Sequence, residues 1–381
     1  MKKIWITIVI VVIVALTISL ILMKSKKEPE EIKIGAIIPL TGDNAIYGVA
    51  IKKGIDLAVK EINNRGGINE KKLVVVIEDS EANPLKGVNS FKKLITIDEV
   101  PMVIGAVFSA VTLAIAPIAE QNKIVLLSPT SSAVELSGVG DYIFRIYPSD
   151  SYDGDFLANF AIEELNAKTA SVLYIQAASV TAIIKVFKKV FEERGGQILD
   201  MQGYSEGEKD FKSHIQKIKN SDPDIIFLPG YLKEMALQLR QLREFGVNKT
   251  ILSISTFYDQ IIFSLASDAA NGILFSTPYF DTSVQNPVMQ EFIKAYQLNY
   301  EESPNIWAGY GYDALNISAL AIRNALSKRK ITSEKIKEEF YLIRNYPGVT
   351  GLTTFDNNGD VVKELRIMKA ENGAFVEYRK K

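Results

Sequence analysis

The chain has 381 residues, of which 47% are hydrophobic and 23% charged, and 44 basic residues against 45 acidic ones give a net charge of −1. This composition is typical of a globular protein long enough for two packed domains, and the balanced charge argues against a nucleic-acid partner. Cysteine is absent and His214 is the single histidine, which excludes disulfides, thiolate nucleophiles and histidine-rich metal sites. We therefore predict neither a metal nor a cofactor.

The first 27 residues differ from the rest of the chain. Lys2 and Lys3 precede an uncharged run, residues 4–23, which is long enough for a helix of about 30 Å that spans a bilayer. A cleaved signal peptide has a shorter apolar region followed by small residues. Residues 1–27 are therefore predicted to be an uncleaved signal anchor, with a cleaved signal as the alternative, and residues 28–31 a linker.

From Ile32 onward, apolar runs alternate with amphipathic stretches. Residues 32–39 are almost all apolar, as in a strand that is buried on both faces of a sheet. Further strands are predicted at residues 73–77, 101–105, 124–127, 142–146, 170–175, 198–203, 224–228, 250–253, 273–276, 351–355, 365–370 and 374–378. Helices are predicted at residues 47–64, 84–97, 181–193, 209–220, 231–245, 287–300 and 307–326, with a polar break at 148–153. This alternation predicts an α/β fold with parallel sheets and right-handed crossovers.

One stretch, residues 104–132, combines two strand ends with hydroxyl side chains. The first strand is followed by Ser109, and the second by Ser128, Thr130 and Ser132. Ligands of open parallel sheets bind at the carboxyl ends of the strands, where hydroxyls and helix N–H groups suit an anion. We expect these two loops to form half of a small-molecule site. The alternative is that Ser109 and Ser132 cap the helices that follow their loops.

A series of short motifs follows in order along almost the whole chain after Glu31. They are Ile34-Gly35, Pro39-Leu40-Thr41-Gly42, Tyr47-Gly48, Asn63-Asn64-Arg65-Gly66-Gly67-Ile68, Glu78-Asp79-Ser80, Asn83-Pro84, Ile104-Gly105, Ala116-Pro117, Ser128-Pro129, Asp210-Phe211, Pro223-Asp224, Gly230-Tyr231, Tyr312-Asp313-Ala314, Phe355-Asp356 and Gly359-Asp360. Their order and spacing make the chain resemble the type I periplasmic solute-binding proteins, in the leucine/isoleucine/valine-binding branch of ABC transporter components.

This resemblance implies two Rossmann-like lobes with parallel sheets, joined by a three-strand hinge and preceded here by the N-terminal transmembrane helix. The crossings are expected near Asp150, Ser276 and Val349. Lobe 1 would comprise residues 32–150 and 277–349, and lobe 2 residues 151–276 and 350–381. A ligand would bind between the lobes and be enclosed by hinge closure.

The resemblance also assigns ligand-binding residues. Ser109, Thr130 and Ser132 match positions that hold the carboxylate and part of the ammonium of an amino acid. Tyr47 and Tyr231 match aromatic positions that pack on the ligand, with an ordinary surface or capping tyrosine as the alternative for Tyr47.

Two further expected contacts depart from the family pattern. Ser255 stands where amino-acid binders commonly have an acidic residue, and residues 176–181, around Ser179, lack the usual Asp and Tyr-Gly. An ammonium buried without a carboxylate is costly. The second half of the pocket is therefore predicted to be uncharged. Asp259 could replace the missing acid, but its position is more typical of an exposed helix cap. An amino acid, an amide and a small carboxylate all remain open as ligands.

The implied function is that of an exported substrate-binding component of an ABC importer, anchored in the membrane with its domain on the extracytoplasmic side, and monomeric. It would deliver a small polar solute to permease subunits. The alternative is a ligand-sensing ectodomain that signals through a separate partner. An enzyme is not expected, because Glu78 and Asp79 have no nucleophile near them, and His214 reads as a solvated residue of an amphipathic helix.

Overall fold

The fold is that of a computed structural model, which describes residues 31–278, 280, 286–327 and 331–379. The predicted signal anchor at residues 1–27, like residues 28–30 of the linker, lies outside the described residues. Among the helices of the described residues, none combines the length and the apolarity that crossing a membrane requires.

The first sheet has five parallel strands in the order β2-β1-β3-β4-β5. Its strands are β1 (Ile32–Ile38), β2 (Leu73–Asp79), β3 (Met102–Gly105), β4 (Val125–Ser128) and β5 (Ile143–Arg145). The crossover helices are α1 (Ala45–Asn64), α2 (Pro84–Thr96) and α3 (Ser109–Asn122). Ile34 packs in the core on the side of α1, whereas Ile37 packs with Phe91 of α2. Both faces of the sheet are thus covered, which explains the continuous apolar run of β1.

The second sheet has seven strands in the order β14-β13-β10-β9-β8-β6-β7. Its strands are β6 (Thr169–Ile175), β7 (Gln197–Tyr204), β8 (Ile225–Phe227), β9 (Thr250–Ser253), β10 (Leu274–Pro278), β13 (Leu365–Glu371) and β14 (Ala374–Glu377). The first five are parallel, and β13 and β14 add to β10 as an antiparallel hairpin. Asn372 and Gly373 form the tight turn of this hairpin with φ of 52° and 80°, as an Asn-Gly turn requires.

The helices of this second half are α4 (Asp150–Glu163), α5 (Ala178–Glu193), α6 (Lys212–Ser221), α7 (Leu232–Glu244) and α8 (Ile262–Ala266), with 3₁₀ turns at Val134–Leu136, Ser255–Phe257 and Ser267–Ala270. The polar break predicted at 148–153 is wrong from Asp150 onward, where α4 begins. Acidic residues in a first helical turn are favourable beside the helix N-terminus, so the same residues that read as a break start a helix.

The segment between β10 and β13 contains α9 (Pro287–Tyr300), α10 (Ile306–Ser327), α11 (Ser333–Leu342) and a hairpin of β11 (Tyr346–Gly348) and β12 (Gly351–Thr353). Helix α10 packs directly on α1. A Cβ atom at position 54 would lie 2.0 Å from the carbonyl oxygen of Ala308, and one at position 311 would lie 2.2 Å from that of Ile51. Gly54 and Gly311 therefore allow the two helices to touch backbone to backbone.

A buried carboxylate fixes the chain near the expected crossing at Val349. Asp313 of α10 accepts hydrogen bonds from the backbone N–H groups of Val349 and Thr350 at 2.9 and 2.8 Å, and from the Thr350 hydroxyl at 2.6 Å. Lys363, also buried, donates to the Thr353 hydroxyl at 2.7 Å. Burial raises the pKa of Asp313 and lowers that of Lys363 to about 8, a shift that the Asp313 charge partly offsets. The bounds of the two lobes stay a prediction.

Candidate functional site

The loops that follow β3 and β4 are joined by hydrogen bonds from hydroxyl groups. The Ser128 hydroxyl donates to the Ala106 carbonyl at 2.7 Å, and the Thr130 hydroxyl donates to the Val107 carbonyl at 2.9 Å. The two strand ends that the sequence singled out thus lie side by side, and these bonds hold them in one arrangement.

Ser109 connects the same two loops from the side of α3. Its Oγ accepts hydrogen bonds from the backbone N–H groups of Ser132 and Ala133, both at 3.2 Å. Neither Phe108, which precedes α3, nor Ala133, which precedes the following 3₁₀ turn, makes a side-chain capping bond. The serines therefore do not act as caps of the helices after their loops, and the Ser109 hydroxyl keeps a hydrogen to donate.

A cavity lies where these loops face the second sheet. It is lined by all seven residues predicted to bind the ligand, namely Tyr47, Ser109, Thr130, Ser132, Ser179, Tyr231 and Ser255. About 60 Å³ of the cavity is open to the centre of a water molecule, which is room for a few waters and suits a small ligand. Their contacts with a ligand stay a prediction.

Aromatic rings from both halves of the chain line the cavity. The Tyr47 ring packs edge-on against those of Phe108 and Trp307, with ring centroids 5.9 and 5.4 Å apart. Tyr231, just before α7, packs edge-on against Phe108 at 5.4 Å. Sequence reasoning missed Phe108 and Trp307, since an aromatic residue in an apolar stretch carries no sign of which surface it covers. The buried Trp307 Nε1 has no hydrogen-bond partner among the described residues, so it is a free donor beside the cavity.

Ser255 is held by a tyrosine that the sequence also did not mark. The hydroxyls of Tyr147 and Ser255 form a short hydrogen bond in the cavity wall, and both residues are buried. Asp259 does not line this cavity, so it does not substitute for the missing acid there. It is half-buried rather than an exposed cap, and it accepts bonds from the Ile261 N–H at 3.0 Å and the Asn305 amide at 2.9 Å.

Two carboxyl groups from the first turn of α4 line the same cavity. Asp150 and Asp153 are 2% and 6% exposed, and Oδ2 of the first and Oδ1 of the second have no hydrogen-bond partner among the described residues. Burial raises the pKa of Asp150 well above its usual range and that of Asp153 to about 6. The expectation of a pocket without acids on this side is therefore wrong, because the carboxyls come from α4 and not from the segments around Ser179 and Ser255.

Contacts across the cavity join the two halves of the chain at its rim. The Asn44 amide donates to Glu206 at 2.5 Å, and the Leu232 N–H donates to the Tyr47 hydroxyl at 3.1 Å. Lys233 and Asp43 form an exposed ion pair at 2.9 Å. The loops of the two halves are therefore in direct contact beside the cavity.

The other candidates from the sequence have structural roles. Asp79 accepts hydrogen bonds from the Leu40 N–H and the Thr41 hydroxyl, which fixes a turn, and Glu78 pairs with Lys93. The expectation that His214 is solvated is wrong, because its two ring nitrogens lie 2.9 Å from Gln202 and Glu208 and its side chain is 18% exposed. Within the described ranges, no group of three or more acidic, histidine or cysteine side chains is arranged to hold a metal ion.

Comparisons with known proteins agree with this geometry. The sequence profile of the family described as "Periplasmic binding protein" matches residues 31–374. The leucine-, isoleucine-, valine-, threonine- and alanine-binding protein of Pseudomonas aeruginosa is 28% identical over 333 residues, which cover 87% of each chain. The crystal structure of the branched-chain amino acid transporter substrate binding protein LivJ from Streptococcus pneumoniae, in complex with isoleucine, is 31% identical with a TM-score of 0.84, covering 91% of this chain and 98% of that one. The leucine binding protein LivK from Thermotoga maritima is 29% identical with a TM-score of 0.85 and the same coverage.

Two sheets, one parallel and one mainly parallel, whose loops meet at a small, hydroxyl-lined cavity define a solute-binding protein. The chain belongs to the periplasmic binding protein family, as a type I member of its branched-chain amino acid branch, which confirms the resemblance read from the motifs. The relatives that it matches are solute-binding proteins rather than enzymes, and the family implies an extracytoplasmic location. The predicted α/β class with parallel sheets is likewise confirmed.

Proposed function

We propose that this protein captures a small polar solute in the cavity between its two lobes by hinge closure and delivers it to the permease of an ABC importer. The observation that carries the proposal is the cavity itself, which is lined from both halves of the chain and bordered by hydrogen bonds between them. A cavity that forms only when two halves meet binds its ligand by closing around it. An amino acid, an amide and a small carboxylate are the candidate solutes.

In this proposal the two halves of the cavity have different tasks. Ser109, Thr130 and Ser132 bind a carboxylate or amide oxygen at the ends of β3 and β4, where the first N–H groups of α3 add a favourable partial charge. Tyr47 and Tyr231 cover the ligand, and Ser179 and Ser255 line the opposite wall. The names of the relatives point to amino acids with small or branched side chains as the first compounds to test.

The proposal also includes the location. The apolar run at residues 4–23 would tether the protein to the membrane, with the binding domain on the extracytoplasmic side. The tethered protein would be a monomer. Membrane fractionation of cells, combined with the mass of the mature chain, tests the tether. A chain shortened at its N-terminus and recovered in the soluble exported fraction would contradict the signal anchor.

The decisive experiment is a thermal-shift screen of the full chain against amino acids, amides and small carboxylates. A bound solute raises the melting temperature, because binding adds RT ln(1 + [L]/Kd) to the free energy of unfolding. Ser109→Ala and Tyr231→Ala should weaken the binding of any compound found in this way. If both variants bind it as the parent does, the cavity is not the binding site.

Transport is tested separately with the solute that the screen identifies. Cells that lack the gene should lose uptake of that solute at low concentration and regain it with the parent gene. Saturable binding with unchanged uptake would instead favour the alternative, a sensor that acts through a separate partner, and conversion of the bound compound would indicate an enzyme.

A further inference from the structure

The unusual feature of the cavity is the pair of buried carboxyls at the start of α4. Both are more than nine-tenths buried, and each has an oxygen without a hydrogen-bond partner among the described residues. Asp153 and Asp150 also line the cavity, so both side chains lie beside the space that a ligand would fill. A buried polar atom without a partner is expensive, and its presence beside a ligand cavity indicates that the partner is supplied by the ligand.

The charges around the cavity point to a cationic partner. Asp150 and Asp153 are the only residues with carboxyl groups among the described lining residues, which include no lysine, arginine or histidine. A carboxylate with no amine would therefore enter a space that holds two acidic groups and no basic side chain. An ammonium would pair with a carboxylate there, where low solvent exposure makes the attraction strong.

The two acids are not equivalent. Burial raises the pKa of Asp150, and a hydrogen bond with the Ser132 side chain and the Arg145 charge oppose that shift. Arg145 itself is bound elsewhere, since its Nε donates to Asp360 at 2.6 Å and its Nη1 to the Ala133 carbonyl at 2.8 Å. For Asp153 the only opposing influence on the pKa is the neighbouring Ser276 hydroxyl. Asp153 is thus the acid that lacks a cation.

Asp153 is also held in place by the packing of α4. The next residue is Gly154, where a Cβ would lie 2.5 Å from the Ile183 carbonyl oxygen and 2.8 Å from the Val186 Cβ. This close approach to α5 fixes the first turn of α4 against the cavity. Asp153 also lies near Tyr147, because its charge contributes to the raised pKa of that tyrosine. The Tyr147 hydroxyl is hydrogen-bonded to Ser255. Asp153 is therefore on the same side of the cavity as Ser255, where the family's usual acid is missing.

We propose that Asp153, with Asp150 beside it, binds a protonated amine of the solute, so that α4 supplies the acid that position 255 lacks. The inference rests on the proposed function and narrows it: the solute carries an ammonium, and its carboxylate, where present, faces Ser109 and Ser132. Amides and carboxylates without an amine are excluded.

Acidic residues in a first helical turn also stabilise a helix without any ligand. That effect does not require burial. Asp155, which follows the first turn of the same helix, is an ordinary exposed aspartate that accepts a hydrogen bond from the Asn159 amide at 3.1 Å. Asp155→Asn is therefore a matched control for Asp153→Asn, with the same chemical change two residues along the same helix.

The test uses the full chain and a panel of the twenty standard amino acids, each with its deaminated acid and its decarboxylated amine. Thermal shift and calorimetry should find binding among the amine-bearing compounds, with each deaminated acid at least about 100-fold weaker, as the loss of a buried charge-assisted pair implies. A deaminated acid that binds as tightly as its amino acid would overturn the inference and leave the proposed function standing. If no compound of the panel binds, amino-acid capture and this inference fail together.

Two variants test whether Asp153 is the residue that binds the ammonium. Asp153→Asn should weaken binding of the amine-bearing compounds by about 10- to 100-fold, whereas Asp155→Asn should stay within two-fold of the parent. Thermal unfolding without ligand shows whether each variant is folded. Equal affinities of a folded Asp153→Asn variant and the parent would refute the assignment to Asp153.

Discussion

The hydroxyl of Tyr47 accepts a 3.1 Å hydrogen bond from the backbone N–H of Leu232, the first residue of α7. The two residues belong to opposite sides of the cavity, and both are buried. This bond joins α1, which covers the first sheet, to a helix of the second half. It exists only while the two halves are in contact, so it contributes to closure.

Tyr47→Phe is expected to weaken ligand binding about 10-fold. The variant keeps the ring contacts with Phe108 and Trp307 but leaves the Leu232 N–H unsatisfied in the closed form alone, because water satisfies it when the protein is open. Calorimetric titration measures the effect. Tyr300→Phe, which removes a 2.9 Å bond to the Lys53 carbonyl away from the cavity, should leave affinity unchanged. Equal losses in the two variants would show that Tyr47 does not act through closure.

Asp153→Asn is expected to stabilise the protein without ligand at neutral pH. The pKa of Asp153 is raised from 3.8 to about 6 in the folded state, so the folded protein binds the proton more tightly than the unfolded chain does. The free energy of unfolding therefore falls as the pH rises from about 4 to about 6, and the penalty above that range is up to about 3 kcal/mol. Urea unfolding at pH 7 should show the variant as more stable, with the difference vanishing near pH 4.

A similar difference at both pH values would mean that the amide acts through packing. The group that titrates would then lie elsewhere in the chain.

The affinity for an amine-bearing solute is expected to fall below about pH 6, by roughly tenfold per pH unit, because the ammonium pairs with the ionised form of Asp153. The titratable and charged groups that face Asp153 and Asp150 are Tyr147, Tyr231, Tyr310, Arg145 and Glu135. Burial raises the pKa of all three tyrosines above 10, so they stay neutral in this range. Calorimetry from pH 5 to 8 tests the profile. Asp153→Asn should flatten it and Asp155→Asn should not.

Asp313→Ala is expected to lower the free energy of unfolding by about 3–5 kcal/mol, since it removes the acceptor of three buried hydrogen bonds and leaves Lys363 without its buried acid. Asp56→Ala is the control, because Asp56 pairs with Lys52 on the surface, where its side chain is 41% exposed, and should cost less than about 1 kcal/mol. Urea unfolding compares them. Similar costs for the two variants would show that the Asp313 network does not stabilise the chain near Val349.

Regular elements of this chain follow from local patterns. The buried strands read as apolar runs, and α9 begins after Asn286, whose side chain accepts the Val288 N–H at 2.9 Å, with Pro287 in the first turn. The hydroxyls of Ser109 and Ser132 could be placed at one site because strand ends of a parallel sheet share an edge. Those features depend on neighbours in sequence or on a general rule of the fold.

The acids of the cavity do not follow from such patterns. Asp150 and Asp153 lie among polar residues after Pro148 and look like part of a solvent-exposed connection. Their burial comes from the packing of α4 on α5 through Gly154, a contact between segments about 30 residues apart that no local pattern reveals. The place of Tyr147 in the cavity wall could not be predicted for the same reason, because it depends on a hydrogen bond to Ser255, which is distant in sequence.

The backbone contact between α1 and α10 has a consequence for re-engineering the protein. Tyr47 and Trp307 belong to these two helices and pack against each other. Because the helices are in backbone contact at Gly54 and Gly311, no side chain lies between the helices there that a substitution could change. Mutational libraries aimed at a new solute would therefore find little tolerance on this face. A sensor for another compound is better sought by varying Asp153 and Ser179, which line the cavity from α4 and the start of α5, so that the charge of the wall matches that of the chosen analyte.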